Sequence, residues 1–165
     1  DEFNCICFHM TDLPYGRGGS PLQNLIMRGA LSTKISAIKM TEKLDAGPIF
    51  LKKDLQLSGS AHKIYKKAGL LSLIMAKEIF QKKLVPLPQK GAVVEFKRLK
   101  ETNNQIDLTK VKLGTFYDMV RMLDAPSYPS AYIRCGNLKI KFKSIMSQTL
   151  MQKIKKNIRL IDIHQ

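Results

Sequence analysis

The chain has 165 residues, 44% of them hydrophobic, enough for one ordinary core with a small appended unit and too few for two full domains. Its net charge of +15, from 28 Lys and Arg against 13 Asp and Glu, favours anionic partners, although the lysines are spread as on a solvated surface. Cys5, Cys7 and Cys135 are too few and too badly spaced for a disulfide framework or a closed zinc site, and no apolar run reaches the roughly 18 to 20 residues that cross a bilayer. A soluble, cytoplasmic protein with reduced thiols, no metal and no membrane partner is expected, with Cys5 and Cys135 as small buried hydrophobes.

The start, DEFNCICF, has neither an initiator methionine nor the pattern of a targeting peptide, so a piece of a longer protein is expected. Cys5 to Phe8 reads as a buried strand that feeds a polar, glycine-rich loop from His9 to Gly19. A helix follows, with Ser20 as N-cap, Pro21 at its first position, Gln23 three residues after the cap and Gly29 as its stop. Ser32 to Met40 predicts a strand, Thr41 to Gly47 a turn, and Pro48 to Leu57 a second strand.

Beyond Ser60, the positions Ile64, Ala68, Leu71, Met75 and Ile79 step by three and four, predicting an amphipathic helix to about Lys83. Pro86 and Pro88 end it, and Val93 to Phe96 predicts one more strand. Leu99 to Leu113 is polar and patternless, which marks a boundary. Thr115 with Asp118 begins a short helix through Leu123, and Ala131 to Cys135 with Leu138 to Phe142 flank Gly136-Asn137 as a hairpin. Leu150, Ile154, Ile158 and Ile161 suggest a terminal amphipathic helix. The expected organisation is a first unit over residues 1–98, a small β-rich unit over 99–146 and a helical tail over 147–165.

The loop carries His9, Leu13-Pro14, Arg17-Gly18 and Pro21 in an order and spacing that resemble the signature of the folate-dependent formyltransferases. Downstream, Thr33-Lys-Ile-Ser-Ala-Ile-Lys-Met40 and Leu44-Asp45-Ala-Gly47-Pro-Ile49 resemble that family's second signature. Phe96-Lys-Arg98, Ile106-Asp107, Arg121 to Ala125 and Tyr128 to Tyr132 resemble its passage from catalytic domain to small C-terminal domain. The resemblance runs from about Cys5 to Lys143.

It implies an α/β fold: the C-terminal part of a Rossmann-like formyltransferase domain, followed by a small β-rich, partial barrel-like subdomain. The family's preceding strands and helices are not in this chain, so an open side along an unpaired apolar strand is expected, and a piece inactive by itself. By position, His9 and Asp45 match two members of the family's catalytic Asn, His and Asp trio. Cys7 stands where most of the family carries the asparagine, and a thiol is the poorer donor to an oxyanion. The same resemblance implies Leu13, Pro14, Leu44 and Gly47 around the formyl donor, 10-formyltetrahydrofolate.

Arg17 followed by Gly18 and Gly19 ahead of a helix is either a flexible turn or a place for a substrate carboxylate or phosphate. About fifty residues after Leu113 are short for a five-stranded oligonucleotide-binding barrel. The expected acceptor is therefore the amine of a nucleotide-linked amino sugar, with methionyl-tRNA second and a non-catalytic remnant third. A homodimer is compatible with the sequence.

Overall fold

The computed structural model describes residues 5–126 and 128–143. The terminal helix expected over 147–165 lies outside the described residues. Three strands form the central sheet: β1 (Ile6–His9), β3 (Ser32–Lys39) and β4 (Ile49–Gln56), in the order β1-β3-β4. Ile35, Ser36, Ala37 and Ile38 are all buried, so both faces of β3 are covered, as its central place requires. A short strand, β2 (Tyr15–Gly18), pairs with β5 (Val94–Phe96) beside the sheet.

Both pairings of the central sheet are antiparallel, with His9 opposite Ser36 and Ala37 opposite Leu51. A Rossmann-like domain implies parallel strands, but among the described strands only β2 and β5 pair in parallel. The reason is local: the turn over residues 41–47 is too short for a crossover, so β3 must reverse directly into β4. Among the described residues β1 pairs with β3 alone.

The loop after His9 is more ordered than its composition suggests. The Ser36 hydroxyl donates to Thr11 O (2.7 Å) and accepts from the Leu13 amide (3.2 Å), so β3 holds the loop from beneath. β2 then arises from residues read as loop, because Gly18 can come close to β5: a Cβ there would stand 2.5 Å from Phe96 O, at a φ of +101°. Ser20 precedes α1 (Pro21–Met27) in a left-handed conformation with φ 49° and makes no side-chain cap. Its hydroxyl instead accepts from the Leu99 amide at 3.0 Å, tying the helix start to the strand exit.

α2 (Ala61–Lys82) follows Ser60, whose hydroxyl accepts from the Lys63 amide. Ile64, Ala68, Met75 and Ile79 are buried as the spacing predicts, with Leu71 partly so. Leu70, Leu73, Ile74 and Phe80 remain exposed on the same helix.

The polar stretch after Leu99 contains a single 3₁₀ turn, Glu101–Asn104, and Ile106 enters the core. α3 (Leu113–Arg121) begins earlier than the Thr115 cap predicts. β6 (Tyr132–Cys135) and β7 (Leu138–Lys141) form the hairpin at Gly136-Asn137. Ile106, Val120, Met122, Leu123 and Ala131 share one apolar cluster with Leu22, Ile64 and Met75. Arg121, itself buried, donates from Nη1 to Leu57 O (2.6 Å) and Gly59 O (3.0 Å), and from Nε to Asp118 (2.6 Å). Cys5 and Cys135 are exposed, contrary to the sequence reading, since β1 is an edge and the hairpin turns outward. No helix among the described residues is long and apolar enough to cross a membrane.

Candidate active site

His9 ends β1, and Asp45 lies in the turn between β3 and β4. Because β1 and β3 run antiparallel, the end of β3 would carry that turn away from His9, and the turn must fold back. Gly47 makes the return possible, for its backbone packs so tightly that a Cβ would stand 1.7 Å from Lys39 O. Asp45 takes a left-handed conformation, φ 51°, which aspartate tolerates better than most residues. The result places Asp45 Oδ1 at 3.5 Å from His9 Nδ1, both side chains nearly buried.

Each partner is further fixed. The Gly18 amide donates to Asp45 Oδ2 at 2.9 Å. His9 Nε2 meets Gly16 O at 2.8 Å, and the Thr11 hydroxyl donates to that same carbonyl at 3.2 Å. Thr11 therefore keeps Gly16 O satisfied if the imidazole N–H turns to another acceptor. Cys7 precedes this pair on β1. Burial first, and then the negative charge of Asp45, push its thiol pKa up, so it rests as the neutral SH.

A cavity of about 560 Å³ opens against the pair. His9, Asp45, Arg17, Gly18 and Leu44 line it, and Leu44 is 70% exposed with its side chain free to meet a ligand. Leu13, Pro14, Gly47 and Cys7, which the resemblance places at the site, do not line it: Leu13, Pro14 and Gly47 are buried and Cys7 is partly buried. The amides that the sequence offers to an anion are engaged, Gly18 by Asp45 and Gly19 by Phe96 O at 2.9 Å. Arg17 donates twice to Gln89 Oε1, from Nε (3.1 Å) and Nη2 (2.7 Å), and its Nη1 makes no hydrogen bond among the described residues.

Glu95, Phe96, Arg98 and Tyr128 on the cavity wall, and Gln89 beside it, were not legible as site residues in the sequence. Arg98 lines the cavity and makes no ion pair among the described residues. Tyr128 also lines it, its ring stacked on Tyr65 at 5.9 Å and its hydroxyl bonded to that of Tyr65 at 3.1 Å. Gln89 contacts Arg17 and the Asp45 turn. Arg98 and Tyr128 lie in the stretches that resemble the family's passage between domains, which was the one available signal; a glutamine between prolines and lysines gives none. Among the described residues no group of three or more His, Cys, Asp or Glu could hold a metal ion.

Known proteins share this arrangement of chain. Methionyl-tRNA formyltransferase of Bacillus mycoides is 34% identical over 148 residues, 85% of this chain and 46% of that protein. The solved structure of methionyl-tRNA formyltransferase from Clostridium thermocellum superposes with a TM-score of 0.86 at 44% identity, covering 90% of this chain and 65% of that one. Over 85% or more of its length the chain is similar to formyltransferases. Formyltransferase likeness extends to its C-terminal part, where residues 100–161 match the family described as methionyl-tRNA formyltransferase, C-terminal domain. A 4-N formyltransferase from Francisella tularensis shares the fold, with a TM-score of 0.70 at 21% identity over 88% of this chain and 63% of that one. The chain spans about half the length of the curated formyltransferases it matches, 46% of the Bacillus protein.

Proposed function

We propose that the protein containing these residues transfers the formyl group of 10-formyltetrahydrofolate to the amine of methionyl-tRNA. The observation that carries the reading is the His9–Asp45 pair at 3.5 Å on the wall of a cavity. Support for the acceptor comes from the Bacillus and Clostridium relatives, both named for methionyl-tRNA, and from the match over residues 100–161. The net charge of +15 suits a polyanionic acceptor.

The cavity wall fits a folate donor in its composition: Leu44 and Phe96 offer apolar contact to a flat ring system beside the catalytic pair. The donor supplies a formyl group on a weakly basic nitrogen, a leaving group that accepts a proton as it departs. His9, turned from Gly16 O, donates from Nε2 to the formyl oxygen as it becomes negative, while Asp45 steadies the ring at Nδ1. The amine nitrogen forms a bond to the formyl carbon, its surplus proton passes through His9 or water, and the carbon–nitrogen bond to the folate breaks as that nitrogen is protonated. Arg17 Nη1 and Arg98 meet the acceptor's anionic groups.

A second reading is a nucleotide-linked amino sugar as acceptor. Its support is the fold shared with a sugar N-formyltransferase from Shewanella, at a TM-score of 0.72 and 16% identity over 87% of this chain and 62% of that one. Formyl transfer by the full protein to methionyl-tRNA and to nucleotide-linked amino sugars, measured side by side with His9→Ala as control, decides. Transfer to tRNA that weakens steeply with salt is the expected result; transfer to the sugar alone reverses the order, and transfer to neither leaves the non-catalytic remnant.

A further inference from the structure

We infer that Gln89 is a positioning residue: it clamps the Asp45 turn so that the carboxylate faces His9. A carboxamide has two N–H groups and two acceptor lone pairs, and Gln89 uses all four. Its Nε2 donates to Asp45 O at 2.8 Å and to Gly47 O at 2.9 Å. Its Oε1 accepts from Nε and Nη2 of Arg17 at 3.1 and 2.7 Å. The orientation is therefore unique, because the reversed amide would set N–H against guanidinium and oxygen against two carbonyls.

The contacts close a ring. Gln89 grips the backbone of the turn at Asp45 and at Gly47, the Asp45 carboxylate grips the Gly18 amide at 2.9 Å, and Gly18 is the neighbour of Arg17, which returns to Gln89. Within that ring Asp45 keeps a positive φ of 51°, a conformation that a non-glycine residue holds when its surroundings impose it. The segment bearing Gln89 is itself anchored, since Leu87 and Ile49 exchange backbone hydrogen bonds of 2.7 and 2.9 Å. Pro88 and Lys90 are exposed while Gln89 turns inward, so the residue serves the turn and not the core. Gln89 lies outside the cavity lining and acts through Asp45.

The clamp deepens the formyl-transfer reading and rests on it only for its catalytic consequence; the geometry is tested separately. Amide hydrogen exchange by NMR on this chain compares Gln89→Met, equal in length but without hydrogen bonds, with Gln89→Glu, which keeps an acceptor for Arg17 and loses both donors to the turn. In both variants the Gly18 amide should exchange at least about tenfold faster, with Met75 and Ile79 in α2 unchanged. In the full protein, kcat for formyl transfer should fall about tenfold or more with KM unchanged. Gly18 exchange unaltered in Gln89→Met overturns the clamp, as does Gln89→Glu behaving like the unsubstituted chain, or protection lost equally at Met75 and Ile79. Altered Gly18 exchange in a protein that transfers no formyl group supports the clamp and removes the catalytic reading alone.

Discussion

The carboxylate of Asp45 divides its two oxygens between His9 Nδ1, at 3.5 Å, and the Gly18 amide, at 2.9 Å. One oxygen can thus serve the imidazole while the other holds the carboxylate in plane. Asp45→Asn keeps a residue that accepts the left-handed turn and removes the charge. Formyl transfer by the full protein should drop by roughly 10²-fold or more in kcat, the range of acid–base assistance. A kcat within threefold of the unsubstituted protein, measured at saturating donor, would count against the pair.

Cys7 offers a test of the local field. Its thiol is raised by burial and then by Asp45, whereas Cys5 and Cys135 are exposed. Alkylation at pH 8 should modify Cys7 last of the three, because the thiolate is the reactive form. Asp45→Asn removes a nearby negative charge, which lowers the thiol pKa and should quicken Cys7 alone. Mass spectrometry of a time course reads both effects, and equal rates for all three thiols would refute the assignment.

Gly47 allows the turn to fold back on β3. Because a Cβ at this position would stand 1.7 Å from Lys39 O, Gly47→Ala must displace backbone. The cost should be at least ~2 kcal/mol in urea unfolding. The Asp45–His9 approach should loosen with it, visible as a changed Gly18 amide shift. A stability loss under ~0.5 kcal/mol would mean that the turn is not pinned there.

Arg121 joins α3 to the junction of β4 and α2 through Leu57 O, Gly59 O and Asp118. Arg121→Met preserves much of the packing volume and leaves the buried Leu57 carbonyl without this donor. Destabilisation of about 3 kcal/mol or more is expected in equilibrium unfolding, since removing one partner strands the others.

Much of this was legible from residue order. The stripe Ile64, Ala68, Met75 and Ile79 placed α2 because helical spacing is a direct image of burial, and the Gly136-Asn137 pair placed the hairpin because few residues accept such a turn. The catalytic candidates His9 and Asp45 came from a resemblance, not from periodicity, and the structure brings them within 3.5 Å. What stayed hidden is long-range. The antiparallel course of β1 beside β3 depends on which strands find each other, and β2 depends on β5 arriving from far along the chain. Gln89, Arg98 and Tyr128 are polar residues in irregular segments, where one-dimensional pattern has no period to report.

The apolar cluster that runs from Leu22 through Met75 to Ile106, Val120 and Ala131 crosses the boundary expected near residue 98. Heat should therefore melt both sides in a single cooperative step with coincident calorimetric and spectroscopic midpoints. Shortening the chain at that boundary would leave Leu22 of α1 and Ile64 of α2 facing water, and both helices would lose their grip before any chemistry was touched.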